Sequence, residues 1–124
     1  MLNIKIRTRN SEYRAELDDS DISNTVWLSA PFTTTINMLG DEIYFEFPGK
    51  VEVKGETVKI LNKNDIAFWP EANAICIFFG PTPLSGKDGK PVSQYGVLKI
   101  GNVIDDCSGL ENAGDRQNIT LLRE

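Results

Sequence analysis

The stretch that decides the fold is Ile75–Pro83, ICIFFGPTP. Ile75, Cys76, Ile77, Phe78 and Phe79 form an unbroken apolar run, and Gly80-Pro81-Thr82-Pro83 closes it with a turn. Successive residues of a strand point to opposite faces, so such a run leaves neither face polar. One face belongs to a core. Something else must cover the other.

Outward from this run, period-two alternation dominates the chain. Leu2, Ile4 and Ile6 alternate with Asn3, Lys5 and Arg7, and Tyr13, Ala15 and Leu17 with Glu12, Arg14 and Glu16. Ile43, Phe45 and Phe47 alternate with Glu42, Tyr44 and Glu46, and Val51 and Val53 with Glu52 and Lys54. Further apolar segments at 58–61, 66–69, 74–79, 97–104 and 119–122 complete the set. Turn signals at Asn10-Ser11, Gly40-Asp41, Pro48-Gly49, Gly55, Asn62-Lys63-Asn64 and Gly86–Gly89 punctuate them. Eight or nine short strands at this spacing predict a mainly β barrel or sandwich in one domain, residues 1–124. The longest loop is expected over 81–95.

One segment departs from the alternation. Over 21–30, Ile22, Val26 and Ala30 share one side of a helix, with Ser20 as N-cap and Pro31 as the stop. A second, short helix is expected near Leu110–Ala113.

Composition narrows the function. The chain has 124 residues, 40% of them hydrophobic and 25% charged, a globular balance that can bury a core without staples. Its net charge of −5 argues against nucleic acid as a partner. No apolar run approaches the roughly 20 residues of a membrane span, and MLNIKIRTRN lacks an apolar signal core, so the cytoplasm is the expected compartment. There is no histidine, which removes the commonest general base and metal ligand. Cys76 reads as a small buried hydrophobe, and Cys107 lies in a loop-like stretch; a disulfide between them is the less favoured alternative. Neither a metal site nor a cofactor is expected.

Motif tests are mostly negative. Five residues separate Gly80 from Gly86, Asp88 follows Lys87, and two prolines remove amide donors, so this is not a phosphate-cradling loop. No GxGxxG or GxSxG run is present. The acid pairs Asp18-Asp19, Asp41-Glu42 and Asp105-Asp106 read as solvated turns and strand ends, because neighbours on a strand do not converge. Asn118-Ile119-Thr120 matches a glycosylation sequon by chance.

The aromatic residues carry more. Alternation turns Tyr44 outward between Glu42 and Glu46, and turns Trp69 away from Ile66 and Phe68. Phe78 and Phe79 cannot both point inward. Tyr44, Trp69 and one of the two phenylalanines therefore define a candidate outer-face groove, unless loop 81–95 or a second copy covers that face.

The carboxy-terminal half resembles the cyclophilins, the β-barrel peptidyl-prolyl isomerases. The resemblance rests on Ala72-Asn73-Ala74, Phe78-Phe79, Thr82, Asp88-Gly89-Lys90, Tyr95-Gly96-Val97 and the closing Asn118-Ile119-Thr120-Leu121. The runs Gly40–Phe45 and Asp65–Pro70 look more closely like a group of small uncharacterised prokaryotic cyclophilin-like proteins. This resemblance implies a closed eight-stranded barrel with one or two short helices and a ligand groove on its outer surface. Of the family's proline-binding wall it carries over Ala72, Asn73 and Phe79; with the outward residues read above, the expected groove residues are Glu42, Tyr44, Trp69, Ala72, Asn73, Phe78, Phe79 and Thr82.

The isomerase machinery carries over poorly. The family's catalytic arginine would fall on the strand after the helix, where this chain has Thr34-Thr35-Ile36-Asn37-Met38-Leu39. No arginine occurs between 15 and 115, and Pro91 stands where the family has histidine. The leading expectation is a module that binds a peptide or small molecule. The alternative is a divergent or weak prolyl isomerase, with Glu42 as an acid or base if it is desolvated beside Tyr44. A third reading makes the apolar outer face a homodimer interface.

Overall fold

A computed structural model describes all of residues 1–124. Its strands are β1 (Leu2–Arg7), β2 (Glu12–Leu17), β3 (Phe32–Leu39), β4 (Glu42–Glu46), β5 (Val58–Ile60), β6 (Asp65–Trp69), β7 (Ala74–Phe78), β8 (Val92–Val103) and β9 (Asn118–Arg123). One α-helix, α1 (Asp21–Ser29), lies between β2 and β3, and short 3-10 turns occupy Pro70–Ala72 and Ser108–Asn112. No helix is long and apolar enough to cross a membrane.

Every strand pairing is antiparallel, and eight strands close into a ring in the order β1-β2-β8-β6-β7-β4-β3-β9. The ring is closed where Ala15–Leu17 meet Gly101–Val103. The fold is the expected barrel. Its interior holds the inward residues of the alternating strands, among them Ile4, Ile6, Ala15, Leu17, Ile43, Phe45, Phe47, Ile66, Phe68, Ile75 and Ile77.

The helix forms as its sequence dictates. The Ser20 hydroxyl accepts the Ser23 amide at 3.2 Å, Ile22 and Val26 join the barrel core, and Ala30 before Pro31 is already extended. The Asp18 carboxylate fastens this start by accepting from the Ser20 and Ser23 hydroxyls, each at 2.6 Å.

Strand β8 does three jobs along its length. Its first residues pair with β5, its middle with β6 and its end with β2. A register shift opposite Ile66 and Ala67 bends it between these partners. The β5 segment and the start of β8 thereby leave the ring and fold back over the outside of β6 and β7 as an arm. Leu61, from the end of that arm, and Val97 pack on Ala67, Cys76 and Phe78, a second small core outside the barrel. This is the cover that the Ile75–Phe79 run demands. The outer apolar face of β7 is sheltered by the chain itself.

Several expectations need correction. Val51 and Val53 do not form a strand: residues 51–57 have no ladder partner, Val51 packs on the core, and Val53 is exposed. The loop expected over 81–95 is shorter, because Val92–Tyr95 belongs to β8. Cys76 and Cys107 are both free and buried. Cys107 lies in the loop after β8, as expected, but its side chain joins the barrel core and its Sγ donates to Asn64 Oδ1 at 3.1 Å.

Candidate functional site

The candidate site lies on the outer face of β4, β7 and β6. Antiparallel pairing puts Glu42 opposite Phe78 and Phe78 opposite Asp65, with Tyr44, Cys76 and Ala67 in the next row. Tyr44 meets Trp69 diagonally, ring centroids 5.5 Å apart and planes at 74°. The arm supplies Tyr95, which stacks on Trp69 at 4.5 Å and 15°. Between arm and barrel lies a pocket of about 250 Å³ lined by Leu39, Glu42, Tyr44, Trp69, Ser93, Gln94 and Tyr95.

Glu42 is the sole carboxylate of this lining, and it is 5% exposed. Burial raises its carboxyl to about 7, opposed in part by a hydrogen bond from the Cys76 thiol. The thiol is itself pushed up, first by burial and then by the neighbouring Glu42. Reading Asp41-Glu42 as a solvated pair is therefore wrong for Glu42: the arm and the side chains of β7 take it out of water. The Trp69 indole N–H is likewise buried and has no hydrogen-bond partner. An unpaired buried donor costs about 1–3 kcal/mol, so the surrounding packing must offset it.

Asp65 shares the row with Glu42 but is matched differently. It is buried, forms an ion pair with Lys99 at 3.0 Å, and accepts the Asn62 amide at 2.7 Å. Its charge is satisfied, whereas Glu42 faces no cation across its pocket.

The other expected residues separate from this pocket. Phe79 belongs to the barrel interior, and the phenylalanine on the outer face is Phe78, buried beneath the arm. The register decides this: Ile75, Ile77 and Phe79 share the inward side, Cys76 and Phe78 the outward one. Ala72 ends the turn before β7. Asn73 adopts a left-handed conformation, φ 50°, and its side-chain amide donates to the Phe47 and Gly49 carbonyls at 3.0 and 2.9 Å, which ties β4 to the β6–β7 turn. The Thr82 hydroxyl donates to the Val92 carbonyl at 2.6 Å and accepts the Val92 amide at 3.2 Å, pinning the base of the arm. Thr82 also lines a hollow of about 190 Å³ that shares Leu39 and Gln94 with the aromatic pocket. Leu39, Ser93, Gln94 and Tyr95 went unrecognised as lining residues in the sequence reading. The signal for Tyr95 was present in Val92-Ser93-Gln94-Tyr95, a strand-like entry into β8 hidden behind a loop rich in glycine and proline.

A larger hollow of about 480 Å³ lies between the start of α1 and residues 52–58. Its charged lining includes Asp21, Glu52, Lys54, Glu56 and Lys99, mixed in sign, and none of these is buried. The smaller aromatic pocket is the one that encloses a desolvated carboxyl.

A closed eight-stranded barrel of this topology defines the class of fold, and the comparisons agree. A family profile described as Cyclophilin-like matches residues 2–122. The chain belongs to the cyclophilin-like family. It is also similar to a hypothetical protein from Archaeoglobus fulgidus known from a solution structure, with 29% identity and a TM-score of 0.81 over 99% of this chain and 95% of that one. No curated protein matches.

Proposed function

We propose that this chain is a binding module whose outer-face pocket takes a small molecule or one side chain of a peptide. The observation that carries this reading is the convergence of Tyr44, Trp69 and Tyr95 from three elements around the buried Glu42. Concave sites with mostly apolar walls and few placed polar groups are the usual form of a ligand pocket.

The arginines support binding without strong catalysis. Cyclophilin chemistry uses an arginine donor to stabilise the twisting prolyl amide. Here Arg14 pairs with Asp105 at 2.8 Å, Arg7 with Glu12 at 2.7 Å, Arg9 donates to the Asn112 carbonyl, and Arg123 lies over Trp27. The aromatic pocket has no arginine in its lining. A screen of small molecules and short peptides by thermal shift and by the Trp69 indole NMR signal tests the reading. Hits that move this signal, and that weaken in Trp69→Ala and Tyr95→Ala, support it. Hits unaffected by both changes put the site elsewhere.

One observation favours a second reading, a weak prolyl isomerase. A carboxyl near 7 is partly protonated at neutral pH, and its O–H is a donor of the kind the missing arginine supplies. A coupled isomerisation assay on Xaa-Pro peptides separates the two readings: turnover above background that disappears in Glu42→Gln favours the enzyme.

A further inference from the structure

Glu42 is buried, acidic and without a cationic partner, and the walls over it are aromatic. From β3 it is faced by Leu39, from its own strand by Tyr44, and from β6 by Trp69. Cys76 of β7 donates to it from below, and Phe78 of β7 is its cross-strand neighbour. Ser93, Gln94 and Tyr95 of β8 close the other side. No lysine or arginine is in this lining. The nearest acid in the same row, Asp65, is held by Lys99. A carboxyl desolvated with no counter-ion keeps its proton more readily, and its ionised form is the one a cation entering from outside the chain would complete.

The walls specify that partner further. Aromatic faces carry negative potential and attract cations. Tyr95 covers one face of Trp69 by stacking and Tyr44 meets Trp69 edge to face, while Tyr95 is 40% exposed, leaving ring surface open to a ligand. A primary ammonium is strongly hydrated and needs several acceptors, which costs more to desolvate against such walls than an alkylated one. The net charge of −5 also draws cations toward the chain.

We propose that this pocket takes a small organic cation of the alkylated ammonium class, its charge set against the Glu42 carboxylate and the rings of Tyr44, Trp69 and Tyr95. The proposal rests on the reading of this pocket as the binding site and names the chemistry it selects. The cation binds the ionised form of Glu42, so affinity rises with pH through the neutral range and levels off above it.

The test uses choline and its uncharged carbon isostere, 3,3-dimethylbutan-1-ol, titrated into the intact protein while the Trp69 indole signal is followed by NMR. Choline is expected to bind at least about tenfold more tightly than the isostere at pH 8. Because a quaternary ammonium does not titrate, its affinity should fall about tenfold from pH 8 to pH 6, as the Glu42 carboxyl takes up its proton. Glu42→Gln should remove both the preference and the pH dependence. Tyr95→Ala, at a half-open site that the barrel does not need, should weaken choline as well. Equal binding of choline and isostere, or a choline affinity flat between pH 6 and 8, overturns the cation inference and leaves the pocket reading in place. Absence of choline binding also overturns it. If the wider screen then finds no ligand at the Trp69 signal, the pocket reading fails too.

Discussion

The indole of Trp69 and the phenol of Tyr95 stack with centroids 4.5 Å apart, and this contact joins the barrel wall to the arm that folds over it. Trp69 ends β6, and Tyr95 sits four residues into β8, before that strand reaches its barrel partners. The arm's other ties are the β5–β8 ladder, Leu61 in the outer core, and the Thr82 clasp on Val92. Tyr95→Ala should therefore leave the barrel intact and loosen the arm. The stack contributes about 0.5–1.5 kcal/mol beyond burial. Global stability should drop by about 1–3 kcal/mol once the lost burial is included, with faster amide exchange over residues 58–61 and 92–97. Exchange unchanged in the arm would show that Leu61 and Thr82 hold it without the stack.

Burial of Glu42 makes stability depend on pH in an unusual direction. Its folded carboxyl lies near 7, against 4.5 as the ordinary value. The folded state therefore holds a proton that the unfolded state has released between those values. Stability is greatest below about 4.5 as far as this group is concerned, falls as pH rises to about 7, and is flat above. The full change is on the order of 3 kcal/mol at about 1.4 kcal/mol per unit. Asp105 and Asp106 act in the opposite sense at more acid pH, since Arg14 and Ser108 hydrogen bonds hold their carboxyls low. Urea denaturation from pH 5 to 8 should show a decline in the wild type and a flatter profile in Glu42→Gln. A parallel decline in both proteins would assign the slope to another group.

Phe78 and Phe79 are adjacent and buried, yet truncating them should have different consequences. Phe79 packs in the barrel core, and Phe79→Ala should cost about 3–5 kcal/mol while leaving the Trp69 environment nearly native. Phe78 lies under the arm beside Cys76, with Tyr44 and Trp69 packed against the same cluster. Phe78→Ala should destabilise less steeply, since the arm can settle onto the gap, and should shift the Trp69 fluorescence. The reverse pattern of fluorescence would mean that the two rings had been assigned to the wrong faces.

How much of this was legible in the sequence follows the same division. The barrel was readable because period-two alternation is strict in residues 2–7 and 12–17, where one face is core and the other largely water, and in 42–47, whose polar residues mark the outer face. The helix was readable from Ser20, Ile22, Val26 and Pro31. Alternation failed at Val51-Glu52-Val53, where it has no neighbour to pair with, and the pattern alone does not reveal that. It also failed at Val92–Tyr95, which the preceding Pro, Gly and Lys residues made look like loop. The site shared this fate. Glu42, Tyr44 and Trp69 could be turned outward by counting residues, but choosing Phe78 over Phe79 required the register of β7 against β4. The desolvation of Glu42 was invisible, because the arm that covers it is recruited from some fifty residues away along the chain.

Closure of the barrel depends on a residue without a side chain. At Gly101, β8 meets β2 and β6 together, opposite Leu17 on one side and Ile66 on the other. A Cβ added there would run into the main chain of Glu16 and Leu17, backbone atoms that cannot swing aside as a flexible side chain would. Gly101→Ala must push β2 away from β8 at the one seam where these strands join the ring. The expected result is a loss of about 1–3 kcal/mol, the usual cost of overpacking, with early amide exchange along Ala15–Leu17. Gly86→Ala is the control, since a Cβ there meets nothing within 4 Å. It should change stability by no more than about 0.5 kcal/mol. Equal effects from the two substitutions would mean that β2 and β8 do not approach as closely as the closed ring requires.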